Sequence, residues 1–270
     1  MKKILLILLS LALLPLSALC EKVTVNLEKE GTLETVISEQ TASDITELKI
    51  IGLITASDIK FLRKCEGKIA NLESLDLSDV TLVSSDEPYA GDPLRGLYYL
   101  TDEEKSWDTS PGGMYMVEYY HYGSMNLSKA FEGMLLETVV LPATMKKIGT
   151  CCFKDCKLLT NVVLPEGITV IDDEAFLGAI SLKTINIGNT KEIGDRAFSG
   201  CTSLTGIDLS KVETIGEEVF NGCTSLSSVN IPKLTEVTGS AFAGCTGLKE
   251  ITFSTNIKTI GKSAFSGCTS

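Results

Sequence analysis

Ala197-Phe198-Ser199-Gly200-Cys201-Thr202-Ser203-Leu204-Thr205-Gly206-Ile207-Asp208-Leu209 decides how the whole chain is read. The pattern returns at Ala241-Phe242-Ala243-Gly244-Cys245, with Leu248, Ile251 and Phe253 at the same offsets. Its phenylalanines are Phe131, Phe153, Phe176, Phe198, Phe220, Phe242 and Phe265, each 22 or 23 residues after the one before. A constant period in the range of about 20–50 residues marks a solenoid. No single unit of this kind buries its own apolar residues; stacked units bury them in one continuous core.

Within one repeat, Ile207 and Leu209 alternate with Gly206 and Asp208, the period of a strand with one buried face. A turn position follows, held in successive coils by Pro142, Pro165, Gly188, Ser210, Pro232 and Ser254. Val212 and Ile215 form a second apolar pair. Gly216 and a short polar run then lead to Val219-Phe220. That run is too short for a long helix and fits one helical or 3₁₀ turn. Strands of stacked coils would pair in parallel, about 4.8 Å apart. Asp172 and Thr238 stand where other coils carry Gly149, Gly194, Gly216 and Gly261.

These residues resemble the BspA-like leucine-rich repeat family of bacterial surface proteins. The shared pattern is Ala-Phe-x-Gly-Cys-x-x-Leu-x-x-Ile-x-Leu-Pro-x-x-x-x-x-Ile-Gly, clearest in the runs starting at Ala197, Ala241 and Ala264. Ile45 to Ile50, Asp58 to Arg63 and Leu72 to Ser78 are similar to the segment that opens such proteins. The resemblance implies an α/β leucine-rich repeat solenoid, horseshoe-like. It would carry a parallel β-sheet of short strands and short helical or 3₁₀ turns. It also implies export and, for several members, adhesion to host or matrix proteins or to other bacteria.

Met1-Lys2-Lys3 precedes an almost wholly apolar run, Ile4 to Leu14, then Pro15 and small residues. This is the pattern of a secretory signal peptide over residues 1–20. The run is shorter than the roughly 20 apolar residues of a membrane span. Cleavage ahead of Glu21 is the favoured route. Lipidation of Cys20 is the alternative, although Ser17 and Leu19 fit a lipobox poorly. Loss of residues 1–20 removes two lysines and no acid, taking the net charge from −11 to −13. Nucleic acid, whose phosphates call for basic groups, is therefore not an expected partner.

Nine cysteines in an exported chain raise the question of disulfides. Cys156, Cys201, Cys223, Cys245 and Cys268 share one repeat column, at a spacing a disulfide could bridge. The same column also holds Ala179 and, in the short first coil, Met134. Apolar replacements point to a packing slot, so buried reduced thiols are the expectation. Cys152 shares a column with Ala130, Ala175, Ala197 and Ala241 and is read as core; Cys65 and Cys151 have no assignment.

Residues 22–80 are expected to form an N-terminal cap of strand and helix units. Val23, Val25 and Leu27 alternate; Leu33, Val36 and Ile37 have helical spacing; Ser57-Asp58 can cap a helix carrying Ile59, Phe61 and Leu62. Residues 81–128 break the repeat. They hold every tyrosine, the one tryptophan, Trp107, and the one histidine, His121, among many acidic residues and turn formers. A long aromatic insertion in a repeat array is commonly functional. Residues 129–270 are the regular array. It ends at Cys268-Thr269-Ser270, just inside a further repeat, as a fragment of a longer protein would.

Catalytic chemistry has little to build on. Histidine chemistry would have to pass through His121, and no spacing pairs it with Cys151 or Cys152. Cys152 and Cys156 lack a second pair for zinc. The acids of the insertion lack the order of a calcium loop. No cofactor is expected. What remains is a surface for a protein or glycan. Trp107, Tyr115, Tyr120 and Tyr122 are the aromatic candidates. Asn186, Asp208 and Asn230 are the candidates on the outward strand columns. Adhesion or recognition is the leading expectation. The alternatives are a structural spacer presenting another domain and glycan capture for nutrient uptake.

Overall fold

The computed structural model describes residues 21–38, 45–64, 69–84, 88–92, 96–99 and 126–270. The expected signal peptide, Cys20, Cys65, Trp107, Tyr115, Tyr120, His121 and Tyr122 lie outside the described residues. The chain runs β1 (Glu21–Leu27), α1 (Leu33–Ser38), β2 (Ile45–Ile54), α2 (Ala56–Lys64) and β3 (Ser74–Leu82). An antiparallel hairpin follows, β4 (Pro88–Asp92) with β5 (Gly96–Tyr99).

Six coils come next, each with two short strands. They are β6 (Thr138–Val140) and β7 (Lys147–Ile148), β8 (Asn161–Val163) and β9 (Val170–Ile171), β10 (Thr184–Ile185) and β11 (Glu192–Ile193). Then come β12 (Gly206–Ile207) and β13 (Thr214–Ile215), β14 (Ser228–Ile231) and β15 (Glu236–Val237), β16 (Glu250–Phe253) and β17 (Thr259–Ile260). We number these coils 1 to 6. Even-numbered strands from β6 onward make a first face and odd-numbered strands from β7 onward a second. Where neighbouring coils pair, they do so in parallel and in coil-to-coil register, as Thr138 with Asn161 and Glu192 with Thr214. The first face continues β1, β2 and β3, so one sheet runs β1-β2-β3-β6-β8. The result is a parallel solenoid, the fold that the repeat period predicts.

Alternation decides which side of each strand is buried. In β1, Val23, Val25 and Leu27 point inward while Lys22, Thr24 and Asn26 face water. Two residues per period keep the apolar set on one face.

The third side of each coil is a ribbon through the phenylalanines. It has the i→i+3 turn bonds expected from the sequence, as from Cys201 N–H to the Phe198 carbonyl. It does not run on into a helix, because left-handed residues interrupt it. Glu174, Arg196 and Glu218 have φ of 56°, 53° and 54°, and Gly178, Gly200 and Gly222 follow four residues later, also at positive φ. For a non-glycine residue that conformation costs about 1–2 kcal/mol. The backbone gains a ladder in return. Arg196, Phe198 and Gly200 donate their N–H groups to the carbonyls of Glu217, Val219 and Asn221 in the next segment. Every one of these ladder bonds points the same way along the array, from the earlier coil to the later.

The ribbon stacks the rings. Successive centroids from Phe131 to Phe265 lie 5.2–5.5 Å apart, with planes within 19° of parallel. All but Phe265 are fully buried. Beside them, each column cysteine donates its S–H to the phenylalanine carbonyl of the previous coil. Cys201, Cys223 and Cys245 reach the carbonyls of Phe176, Phe198 and Phe220 at 3.2, 3.1 and 3.1 Å. Those three thiols are buried and free of disulfides, as the apolar replacements in their column suggest. Burial pushes the Cys201 and Cys245 thiols up to about 12 and Cys223 well above its ordinary value. The reactive thiolate is thus suppressed. Native protein treated with iodoacetamide at pH 8 should leave Cys201, Cys223 and Cys245 unmodified. The same treatment in denaturant, without reductant, should alkylate all three. Failure of the unfolded protein to react would show that they are disulfide-bonded.

Candidate functional site

The side chains that point out of the first face form two columns along the array. One is Thr138, Asn161, Thr184, Gly206, Ser228 and Glu250; the other is Val140, Val163, Asn186, Asp208, Asn230 and Thr252. Strand alternation puts them outward because Val139, Val162, Ile185 and Val229 occupy the core side between them. The second column begins in charge. It runs back through Asp76 to Lys49, whose ammonium lies 3.1 Å from Asp76 and 2.7 Å from Asp79. From Val140 to Asn230 it is uncharged except at Asp208.

Asn186 and Asp208 are held in the same way. The Asn186 Oδ1 accepts the Gly188 N–H at 3.0 Å, and the Asp208 Oδ1 accepts the Ser210 N–H at 2.9 Å. Each side chain therefore closes a turn at the end of its strand and is oriented by it. The Ser210 backbone hydrogen bond, with its hydroxyl, holds the Asp208 carboxyl below the usual carboxylate range. Asp208 is thus ionised at neutral pH, with one carboxylate oxygen free of that turn bond. Asn230 stands one coil further along the same column.

A shallow depression opens on this face, lined by Asn161, Val163, Thr184, Asn186 and Asp208. It lies where the turn length changes. Coils 1 and 2 run Leu141 to Met145 and Leu164 to Ile168 round the corner, whereas coils 3 and 4 run Ile187 to Thr190 and Leu209 to Val212. The corner shortens by one residue between coils 2 and 3, and β8 and β10 do not pair there. Elsewhere on this side, as from Thr205 N–H to the Lys183 carbonyl, coils are linked by a bond that the Lys183 N–H does not make to Thr160. Asn186 and Asp208 are brought together at this opening; Asn230 lies outside it. The 23-then-22 spacing of the phenylalanines carried the signal for the opening, but not its consequence for the sheet.

Chemistry elsewhere is sparse. Among the described residues no group of three or more His, Cys, Asp and Glu is placed to hold a metal ion. No helix among them is long and apolar enough to cross a membrane. Cys151 touches the Glu174 carboxylate at 3.5 Å, and burial, then Glu174, pushes its thiol up to about 12. Glu174 itself is an anchor of the ribbon surface, 2.6 Å from both Lys154 and Arg196. Burial works against its charge, yet the Lys154 hydrogen bond and the two cations hold its carboxyl below the ordinary value.

The BspA type leucine rich repeat region matches residues 127–238 and 191–270, in six copies. Among solved structures, a T. pallidum leucine rich repeat protein is 33% identical, with a TM-score of 0.50, over 53% of this chain and 68% of that one. A leucine-rich repeat protein from Bacteroides ovatus is 23% identical over 83% of this chain and 64% of its own, with a TM-score of 0.46. A leucine rich cell surface protein from Faecalibacterium prausnitzii is 19% identical over 83% and 71%, with a TM-score of 0.35. Comparison with curated proteins gives no match. The repeat built on Phe198 and its column, stacked here coil on coil, places the chain in the BspA-type leucine-rich repeat family.

Proposed function

We propose that this chain is an exported, non-catalytic repeat protein that binds a macromolecular partner at the bacterial surface. Proteins of its family are typically scaffolds, often surface-associated and protein-binding. The observation that carries the reading is the first face. It presents carboxamide and hydroxyl groups from Asn161, Thr184, Asn186, Ser228 and Asn230, interspersed with Val140, Val163 and Gly206 and almost free of charge, and it opens into a depression at Asn161, Asn186 and Asp208. Such a face suits the polar edge of an extended protein segment. It does not suit a polyanion. The apolar leader of residues 1–20 supports export. The concentration of tyrosine and tryptophan in residues 81–128 supports a second contact there, because such rings are enriched among binding hot spots.

Binding to immobilised host matrix proteins tests this reading. The triple change Asn186→Ala, Asp208→Ala, Asn230→Ala should weaken attachment by about tenfold or more. Circular dichroism should stay unchanged and melting should fall only slightly, by the loss of two exposed turn bonds, since all three side chains are exposed. Full binding by that variant would remove the strand face from the proposal. Loss confined to Trp107→Ser, Tyr120→Ser, Tyr122→Ser would move the contact to the insertion.

A further inference from the structure

We infer that the array is jointed between coils 4 and 5, where two rigid blocks hinge about the phenylalanine ribbon. Elsewhere between consecutive coils 1 to 6, at least one strand face is hydrogen-bonded. Coils 1 and 2 pair on both faces, as do coils 3 and 4 and coils 5 and 6; coils 2 and 3 pair through β9 and β11. Between coils 4 and 5 neither face pairs: β12 does not pair with β14, nor β13 with β15. The ribbon alone crosses unbroken. Phe198 stacks on Phe220 at 5.5 Å, and the three ladder bonds from Arg196, Phe198 and Gly200 are all present.

The cause lies in one residue. At this position Gly194 and Gly216 donate their N–H groups to Ile171 and Ile193 of the coil before. A Cβ on Gly194 or Gly216 would fall 2.3 or 2.4 Å from atoms of the preceding coil, so those two coils have no room for one as they stand. Coil 5 carries Thr238 instead. Its backbone N–H makes no bond to Ile215; its hydroxyl donates to the Gly216 carbonyl at 2.6 Å. The hydroxyl bond stands in place of the backbone bond, and the second face is open here. Asp172, the other exception, keeps its bond to Ile148 at 2.9 Å and lies between coils paired on both faces.

Side-chain ties at the mouth of the hinge are also weak. The corner opposite the ribbon is bridged between coils 3 and 4 by Lys211 Nζ to Asn189 Oδ1, at 2.6 Å. Between coils 4 and 5 the corresponding tie is the Lys233 ammonium, 3.9 Å from the exposed Glu213 carboxylate. Near the ribbon, Ser227 N–H still reaches the Thr205 carbonyl at 3.3 Å. The free edge is therefore at the corner and the axis at the ribbon. Asp208 and Asn230 stand on opposite sides of this seam. If the strand face is the binding surface proposed above, a partner touching both selects one curvature of the array.

Distance measurement between spin labels tests the joint without any ligand. Labels are attached through genetically encoded azide side chains, so that native thiols are untouched. The pair at positions 146 and 213 spans three coil interfaces that all pair. The pair at 191 and 258 also spans three, one of them the seam. The second distribution should be at least about twice as broad as the first. Thr238→Gly should narrow it, and Thr238→Ala, which removes the hydroxyl bond, should broaden it further. Equal widths in the wild type would overturn the joint. A broad second distribution indifferent to both substitutions would overturn it too, placing the motion in coil 6.

Discussion

Phe198→Ala should cost about 3–5 kcal/mol, the range of buried aromatic truncations. Phe198 is fully buried, 5.2 Å from Phe176 on one side and 5.5 Å from Phe220 on the other. Removing its ring leaves a void that neither neighbour can enter, because each is held by its own ladder bonds to the flanking coils. Stability in a solenoid is roughly a sum of unit and neighbour-interface contributions. A central ring enters two interfaces, so its loss weakens both. Phe265, half-buried with one stacked partner, is the internal comparison. Phe265→Ala should cost well under half as much. Guanidinium unfolding followed by circular dichroism gives both values. Equal losses at the two positions would mean that the rings do not act as a stack.

The repeat was legible because its chemistry is monotonous. Each coil needs a ring in the same place and an apolar pair on each face, so Phe198, Ile207, Leu209, Val212 and Ile215 give away the stacking without any three-dimensional information. The cysteine column was legible by substitution, since Ala179 can replace a packing thiol but not half of a disulfide. The left-handed column was not legible. Cys151, Glu174, Arg196 and Glu218 share one backbone conformation and no side-chain property. Glycine would have advertised it; a thiol, a guanidinium and two carboxylates do not. The outward columns could be read off the strand period. The opening beside Asn186 could not, because it lies where β8 and β10 fail to pair, and no residue that lines it signals that.

Asp58→Ala should destabilise the N-terminal units by more than about 3 kcal/mol, through groups that the local pattern only half reveals. The sequence suggests that Ser57-Asp58 caps α2. In the structure the cap is Thr55, and Asp58 is the third residue of the helix, accepting the Thr55 N–H at 2.9 Å and its hydroxyl at 3.0 Å. This is the reciprocal half of a capping box. The same carboxylate also accepts the N–H groups of Leu33 at 2.9 Å and Gly31 at 3.1 Å, from the start of α1. Asp58 is 1% exposed, so water cannot take its place. Alanine would orphan the buried N–H groups of Leu33 and Thr55, each costing about 1–3 kcal/mol when unpaired, and would release the part-buried Gly31 N–H as well. Asparagine offers one acceptor oxygen and turns an NH₂ group toward the remaining donors, so Asp58→Asn should recover only part of the loss. Because a solenoid unfolds in neighbouring units, the damage should begin at α1 and α2 and spare the distant coils. Hydrogen exchange should show faster exchange at Leu33 and Thr55 with Phe198 and Phe220 unchanged at low denaturant. Uniform loss of protection over the whole chain would instead show that the N-terminal units and the array unfold as one.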